Sequence, residues 1–237
     1  MRSVVFLYSR LLILLSFVCL ITPSSAYGEI SAASFKKYSE IPVQISSKVK
    51  DTVLNAAVKV SHPAGHSYGS GSYIEINNHY LVLTAAHVVE GMEVLHVKNG
   101  YETVVGTVIY RDDKNDIAFL LVPKMRSRIP LSYKKSTSTD LMGESAIYAG
   151  YPNSHDLLLF FGRVAGRAGE SLIMHSYAWM GSSGSVVVNM KGRIIGVLTA
   201  VDVGMFGPNP QIIEDVVWVS SIAKVDDTKL QSILSEI

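Results

Sequence analysis

From about residue 53 onward the chain is a succession of short apolar runs rich in Val, Ile, Leu and Tyr, each ended by turn-forming residues. Runs at residues 56–60, 73–76, 80–84, 93–97, 103–110 and 117–122 are too short for ordinary helices and rich in β-branched residues, which reads as strands. After a polar stretch at residues 125–140, a second series occupies residues 145–149, 157–164, 172–175, 185–189, 193–199 and 216–220. Many short strands at regular spacing require a sandwich or barrel in which the edges pair with one another. Two groups of six, separated by a polar linker, predict an all-β chain of two six-stranded antiparallel β-barrels.

The ends read differently. Residues 226–237 carry Leu230, Ile233 and Leu234 on one helical stripe, with Asp227 and Thr228 near its start, which predicts a C-terminal α-helix packed across the second barrel. Val43, Ile45 and Val49 give a short helical spacing over residues 41–51. Residues 1–26 have Arg2 and Arg10 as their only charges, an apolar run at residues 11–21, and small residues at Ser24 and Ala26. That is the pattern of an export signal, and the run is short for a bilayer span of roughly 20 residues. The expected organisation is a signal at 1–26, a lead-in at 27–52, a first barrel at 53–124, a linker at 125–142, a second barrel at 143–222 and a helix at 223–237.

Composition removes several function classes. The whole chain carries a formal net charge of +1. Without residues 1–26, the 19 basic and 20 acidic side chains give −1, with Lys and Arg scattered rather than clustered. Nucleic-acid binding has no electrostatic support in that pattern. The one cysteine, Cys19, lies in the expected signal. The remainder has no disulfide and no thiol nucleophile. No histidines or acids have metal-ligand spacing, so no metal or other cofactor is expected.

Three local motifs carry the chemistry. Leu83-Thr84-Ala85-Ala86-His87-Val88-Val89 puts a histidine just past a strand, after two small residues that leave the imidazole room to turn. Asn115-Asp116-Ile117-Ala118-Phe119-Leu120-Leu121-Val122 puts an acid at the mouth of a wholly apolar strand. Gly181-Ser182-Ser183-Gly184-Ser185 precedes Val186-Val187-Val188. Singly these are a strand-end histidine, a turn acid and a Gly/Ser turn.

Together, in the order His, Asp, Ser, they resemble the trypsin-like peptidases of the chymotrypsin fold, over about residues 43–234. The nearest likeness is to the protease domain of the HtrA (Deg) family. It rests on Gly69-Ser70-Gly71-Ser72, on the short step from His87 to Asp116, on Asp116-Ile117-Ala118, and on Gly192-Arg193-Ile194-Ile195-Gly196-Val197-Leu198-Thr199-Ala200. Ala149-Gly150-Tyr151-Pro152 and the Gly-x-Ser-Gly-Ser pattern also resemble glutamyl endopeptidases, although those enzymes have a His where this chain has Leu198. HtrA proteins usually continue into a PDZ domain, and these residues show none.

The resemblance implies a secreted or periplasmic serine endopeptidase acting on peptide or protein substrates, with His87 as general base, Asp116 as its orienter and Ser183 as nucleophile. The alternative it leaves open is an inactive relative that binds extended peptides. It implies an oxyanion hole from the backbone N–H groups of Gly181 and Ser183, and Gly181 has no Cβ to restrict that turn. Tyr177 falls at the floor of the primary specificity pocket, Thr199 supports the catalytic acid, and Ala200 and Val201 pair with an extended substrate. With no acid at Tyr177 and no His at 198, that pocket is expected to favour uncharged side chains. Ser182 stands where zymogen-activated relatives carry an Asp that pairs with a newly freed N-terminus, so that activation is not expected here.

Overall fold

The computed structural model describes residues 46–65 and 67–237. The expected signal, Cys19, Val43 and Ile45 lie outside the described residues. The first helix, α1, runs Ser47–Ala56, later than its sequence spacing suggested, and buries Val49, Val53 and Ala56 on one face. The chain turns extended at Ala57 and enters the first barrel without a loop.

Barrel 1 comprises β1 (Ala57–Ser61), β2 (Tyr68–Ile76), β3 (His79–Thr84), β4 (Val94–Asn99), β5 (Glu102–Asp112) and β6 (Ile117–Leu121). Its order is β1-β4-β5-β6-β3-β2, and the β1–β2 pairing closes it. Asn77 and Asn78, both at positive φ, form the two-residue hairpin between β2 and β3. Asparagine tolerates that region better than other residues with a Cβ, and such turns match the strand twist. The polar linker contributes one short strand, β7 (Leu131–Ser132), laid parallel on β2.

Barrel 2 comprises β8 (Ser145–Gly150), β9 (Leu158–Ala168), β10 (Ser171–His175), β11 (Val186–Asn189), β12 (Ile194–Phe206) and β13 (Asn209–Ser221). It closes in the order β10-β13-β12-β11-β8-β9. The chain thus has the two-barrel chymotrypsin-like architecture. The β12–β13 hairpin extends well past the barrel wall, and its outer part exposes Val203, Met205, Ile212 and Ile213.

The core explains why some strands read as unbroken apolar runs. In β3 and β6, Val82, Ala118 and Leu120 fill barrel 1, while Leu81, Leu83, Ile117 and Phe119 face a second cluster outside it. That cluster also takes Ile147, Ala149, Val186, Val188 and Val197 from barrel 2. Strands buried on both faces lose the polar alternation of a solvent-facing strand.

The second helix, α2 (Asp227–Ser235), is capped by the Asp226 carboxylate accepting from the Lys229 amide. It buries Leu230 and Leu234. Its polar ties run largely to barrel 1 and the linker, rather than across barrel 2 as the sequence suggested. The Asp226 amide donates to Tyr110 Oη on β5, Asn77 bonds Gln231, and Lys135 pairs with Asp227 at 2.7 Å. Among the described residues, no helix is long and apolar enough to cross a membrane.

Candidate active site

Strand pairing brings the first two site residues together. β3 and β6 are antiparallel with Thr84 opposite Ala118. His87 lies three residues beyond that rung and Asp116 two before it, so both emerge at the same end of barrel 1. Buried Ala85 and Ala86 carry the chain into a short 3-10 turn, Ala86–Val89, that holds His87. Asp116 sits at φ +51°, a left-handed conformation that turns its side chain back toward that turn.

Both Asp116 oxygens are engaged. Oδ2 lies 2.7 Å from His87 Nδ1, and Oδ1 accepts the His87 backbone N–H at 2.9 Å. Burial pushes the Asp116 carboxyl up, but the side-chain and backbone bonds from His87 outweigh it and hold the group below its ordinary value. An ionised carboxylate only accepts hydrogen bonds, so Nδ1 must carry the proton and a neutral His87 keeps its lone pair on Nε2. The His87 side chain is 43% exposed, open to an incoming group.

The Ser183 loop comes from barrel 2 and is gripped by barrel 1. Ser70, on β2 between Gly69 and Gly71, makes most of that grip. Its amide donates to the Ser183 carbonyl at 2.7 Å, its hydroxyl donates to the Gly181 carbonyl at 2.7 Å, and the same hydroxyl accepts the Tyr151 amide at 2.9 Å. Thr84 Oγ1, fully buried, donates to the Ser70 carbonyl at 2.7 Å.

The glycines are where the barrels touch. A Cβ on Gly184 would lie 2.1 Å from the Ser70 oxygen, and one on Gly181 would lie 2.6 Å from the Tyr68 ring, both on β2 of barrel 1. Both have positive φ, +89° and +94°, which suits glycine. A Cβ on Gly69 would meet both Val88 Cγ2 at 2.6 Å and the Ser183 carbonyl at 2.9 Å. Val88 follows His87, so the histidine turn and the serine loop flank one glycine.

Ser183 Oγ donates to the Thr199 carbonyl at 3.5 Å, and no hydrogen bond joins it to His87 among the described residues. The Met180 carbonyl is held by the Asn153 amide at 2.7 Å. Ser182 is fully buried, with its hydroxyl accepting the Trp179 amide at 3.2 Å.

The remaining expected residues divide. Thr199 lines a small cleft with Asn115 and Asp116, but its hydroxyl donates to the Trp218 carbonyl at 3.4 Å rather than to the acid. Ala200 and Val201 pair with Trp218 and Val217 on one side. β11 covers the other side of β12 only as far as Val197, which leaves residues 199–201 with an open edge beside the Ser183 loop. Tyr177 stacks on Phe160 and lines another cleft with His175, Ser176 and Asp215. No cluster of His, Cys, Asp and Glu able to hold a metal occurs among the described residues.

The sequence motifs pointed to Gly69-Ser70-Gly71-Ser72 without giving Ser70 a role. The available signal was a serine flanked by two glycines within a strand, a place where another piece of backbone comes close.

A Synechocystis protein named as the serine protease HhoA is 30% identical over 147 residues, covering 56% of this chain and 37% of that one. A Buchnera aphidicola protein, named as a DegP-like periplasmic serine endoprotease, is 29% identical over 151 residues, covering 57% of this chain and 31% of its own. The chain therefore spans about a third of the length of these relatives. The crystal structure of a serine endoprotease from Yersinia pestis superposes with a TM-score of 0.63 at 19% identity, over 80% of this chain and 66% of that one. A protease of M. tuberculosis in its active form gives 0.63 at 20% identity, over 81% and 86%. Residues 69–197, from the first glycine of the β2 motif to the start of β12, match the trypsin-like peptidase domain, and the chain belongs to that family.

Proposed function

We propose that this chain is an exported serine endopeptidase, secreted or periplasmic, in which His87, Asp116 and Ser183 form the catalytic triad. The observation that carries the reading is the His87–Asp116 pair at 2.7 Å, which leaves Nε2 as the basic nitrogen at the barrel end where the serine loop is gripped. Ser183 Oγ attacks the scissile carbonyl carbon and its proton passes to Nε2. The tetrahedral intermediate collapses with cleavage of the C–N bond, and His87 returns the proton to the departing amine. Water then attacks the acyl-enzyme by the same route, and Ser183 is regenerated. Asp116 holds the tautomer and stabilises the imidazolium.

The Gly181 and Ser183 amides face the developing oxyanion, a contribution of roughly 3 kcal/mol per donor in comparable sites. Ala200 and Val201 offer their open strand edge to the acyl side of the substrate by β-augmentation. Buried Ala178 and Leu198 and exposed Ala200 supply no charge, which supports a preference for uncharged side chains before the scissile bond. Export rests on the residue pattern of 1–26 and on the DegP-like relative, whose name places that protein in the periplasm.

A fluorophosphonate probe tests the reading directly, since only an activated serine reacts readily. The expected result is labelling of the full chain at Ser183, lost in Ser183→Ala together with hydrolysis of casein. A folded wild-type protein that binds extended peptides but takes no label would make the inactive relative the correct reading.

A further inference from the structure

The cleft on the far side of the oxyanion loop carries a charge arrangement that the triad does not use. It encloses about 380 Å³ and is lined by Lys59, Lys98, Tyr68, Tyr151 and Asp156 among others. Its position relative to the nucleophile follows from strand register. Ser70, whose hydroxyl holds the Gly181 carbonyl, lies opposite Lys59 on β1, and Lys59 lies opposite Lys98 on β4. Neighbouring strands are about 4.8 Å apart, so the two lysines stand roughly 5 and 10 Å from Ser70 in one row leading away from the catalytic loop. Val58, Val60 and Val97 point into the barrel, which puts the lysine side chains on the outer face.

Two like charges directly opposite on adjacent strands are unfavourable unless something relieves them. No acid in the sheet does so. The other cross-strand neighbours of the pair are Ser70 and Thr103, and neither lysine has an ion pair among the described residues. Glu102 on β5 is engaged by the amides of Arg126 and Ser127. Asp156 lies on the cleft wall without pairing to either lysine. Lys59 Nζ rests 3.8 Å from the centroid of the Tyr68 ring, and that ring would lie 2.6 Å from a Cβ on Gly181. The first ammonium is therefore one aromatic ring away from the oxyanion loop.

An extended substrate crossing Ser183 pairs on its acyl side with residues 199–201. Its leaving-group side must then run the other way, past Gly181, Tyr151 and Tyr68 into this cleft. Resting on the endopeptidase reading above, we propose that Lys59 and Lys98 form a subsite for a substrate carboxylate, taking Asp or Glu at the second or third residue after the scissile bond. At about 3.3 Å per residue, those positions reach the lysine row.

The test uses the full chain and two fluorescein-labelled decapeptides, alike except for Glu or Gln at the second and third positions after the scissile bond. Hydrolysis is normalised to fluorophosphonate-labelled Ser183, and binding to Ser183→Ala is followed by anisotropy. Partly exposed ion pairs are each modest, so the expected preference for the Glu peptide is roughly 5- to 20-fold in both readouts, shrinking with added salt. In Lys59→Gln/Lys98→Gln the ratio falls to about one by the same reasoning. Equal handling of both peptides by the wild-type sequence, or an unchanged ratio in the double variant, overturns the proposal. Absence of labelling with the anisotropy preference intact would overturn the endopeptidase reading and leave the subsite standing.

Discussion

The two barrels deliver their parts of the site by different means. Barrel 1 presents His87 and Asp116 from the ends of two paired strands, and one carboxylate with both oxygens engaged completes the geometry. Barrel 2 presents Ser183 from a loop between β10 and β11 that has no ladder of its own there. Its shape comes from Ser70, Tyr151 and Thr84, and from glycines at contacts where a Cβ would collide. The His87–Asp116 pair is thus a property of one sheet, whereas the Ser183 loop is a property of the junction. Substitutions in the first half should alter chemistry with little loss of fold, while substitutions in the second should couple activity to stability.

The largest separation is expected from Asp116→Asn. The amide matches the carboxylate in shape, but its NH2 can face Nδ1 and drive the imidazole proton to Nε2, where it blocks proton transfer from Ser183. A loss in kcat of about 10⁴-fold is expected from the wrong tautomer, with thermal unfolding close to that of the parent. Measuring both in one preparation sharpens the contrast. An unfolded variant would show that barrel 1 also depends on this pair for its stability, and near-parental turnover would remove Asp116 from the triad.

Ser70→Ala attacks the other half. It leaves the Gly181 carbonyl and the Tyr151 amide without their hydroxyl partner, a cost of about 1–3 kcal/mol for each buried group left unpaired. Because those groups set the oxyanion loop, kcat is expected to fall roughly 10- to 100-fold along with a lower Tm, which is less than the full loss of an oxyanion donor. Loss of stability with full kcat would mean that the loop holds its shape without Ser70. Ser70→Thr keeps the hydroxyl and should recover part of both quantities.

The same contrast governs what could be read from the chain. The strands and the two-barrel division were legible because strand burial and pairing leave a local periodic trace, whereas His87 and Asp116 stood out only through the order of the motifs and their family resemblance. The continuous run Ile117-Ala118-Phe119-Leu120-Leu121 already signalled a strand buried on both faces. The role of Ser70 was not legible, since it depends on contact with residues 111 positions away. The turn of the Thr199 hydroxyl toward Trp218 depends on the irregular register between Leu198 and Ala200, which no local pattern marks. The extension of β12 and β13 past the barrel, and the ties of α2 to barrel 1, escaped for a related reason. Their side-chain patterns fix amphipathicity but not the partner.

The smallest effect is expected at the N-terminus, where no activating step should be needed. In zymogen-activated relatives a freed α-amino group enters the second barrel and pairs with an acid immediately before the nucleophile, which orders the oxyanion loop. Here Ser182 occupies that position, fully buried, with its hydroxyl taken by the Trp179 amide and its own amide donating to the Trp179 carbonyl at 2.8 Å. Those bonds are expected to do locally what the ion pair does elsewhere. A buried ammonium without a carboxylate partner would cost several kcal/mol. Chains beginning at Tyr27, at Glu40, and at Tyr27 behind an added tag should therefore show the same turnover per labelled Ser183. Turnover that appears only after a defined N-terminal segment is removed would mean that the Ser182 bonds do not hold the loop in its active shape. The grip from barrel 1 would then be only part of what orders the site.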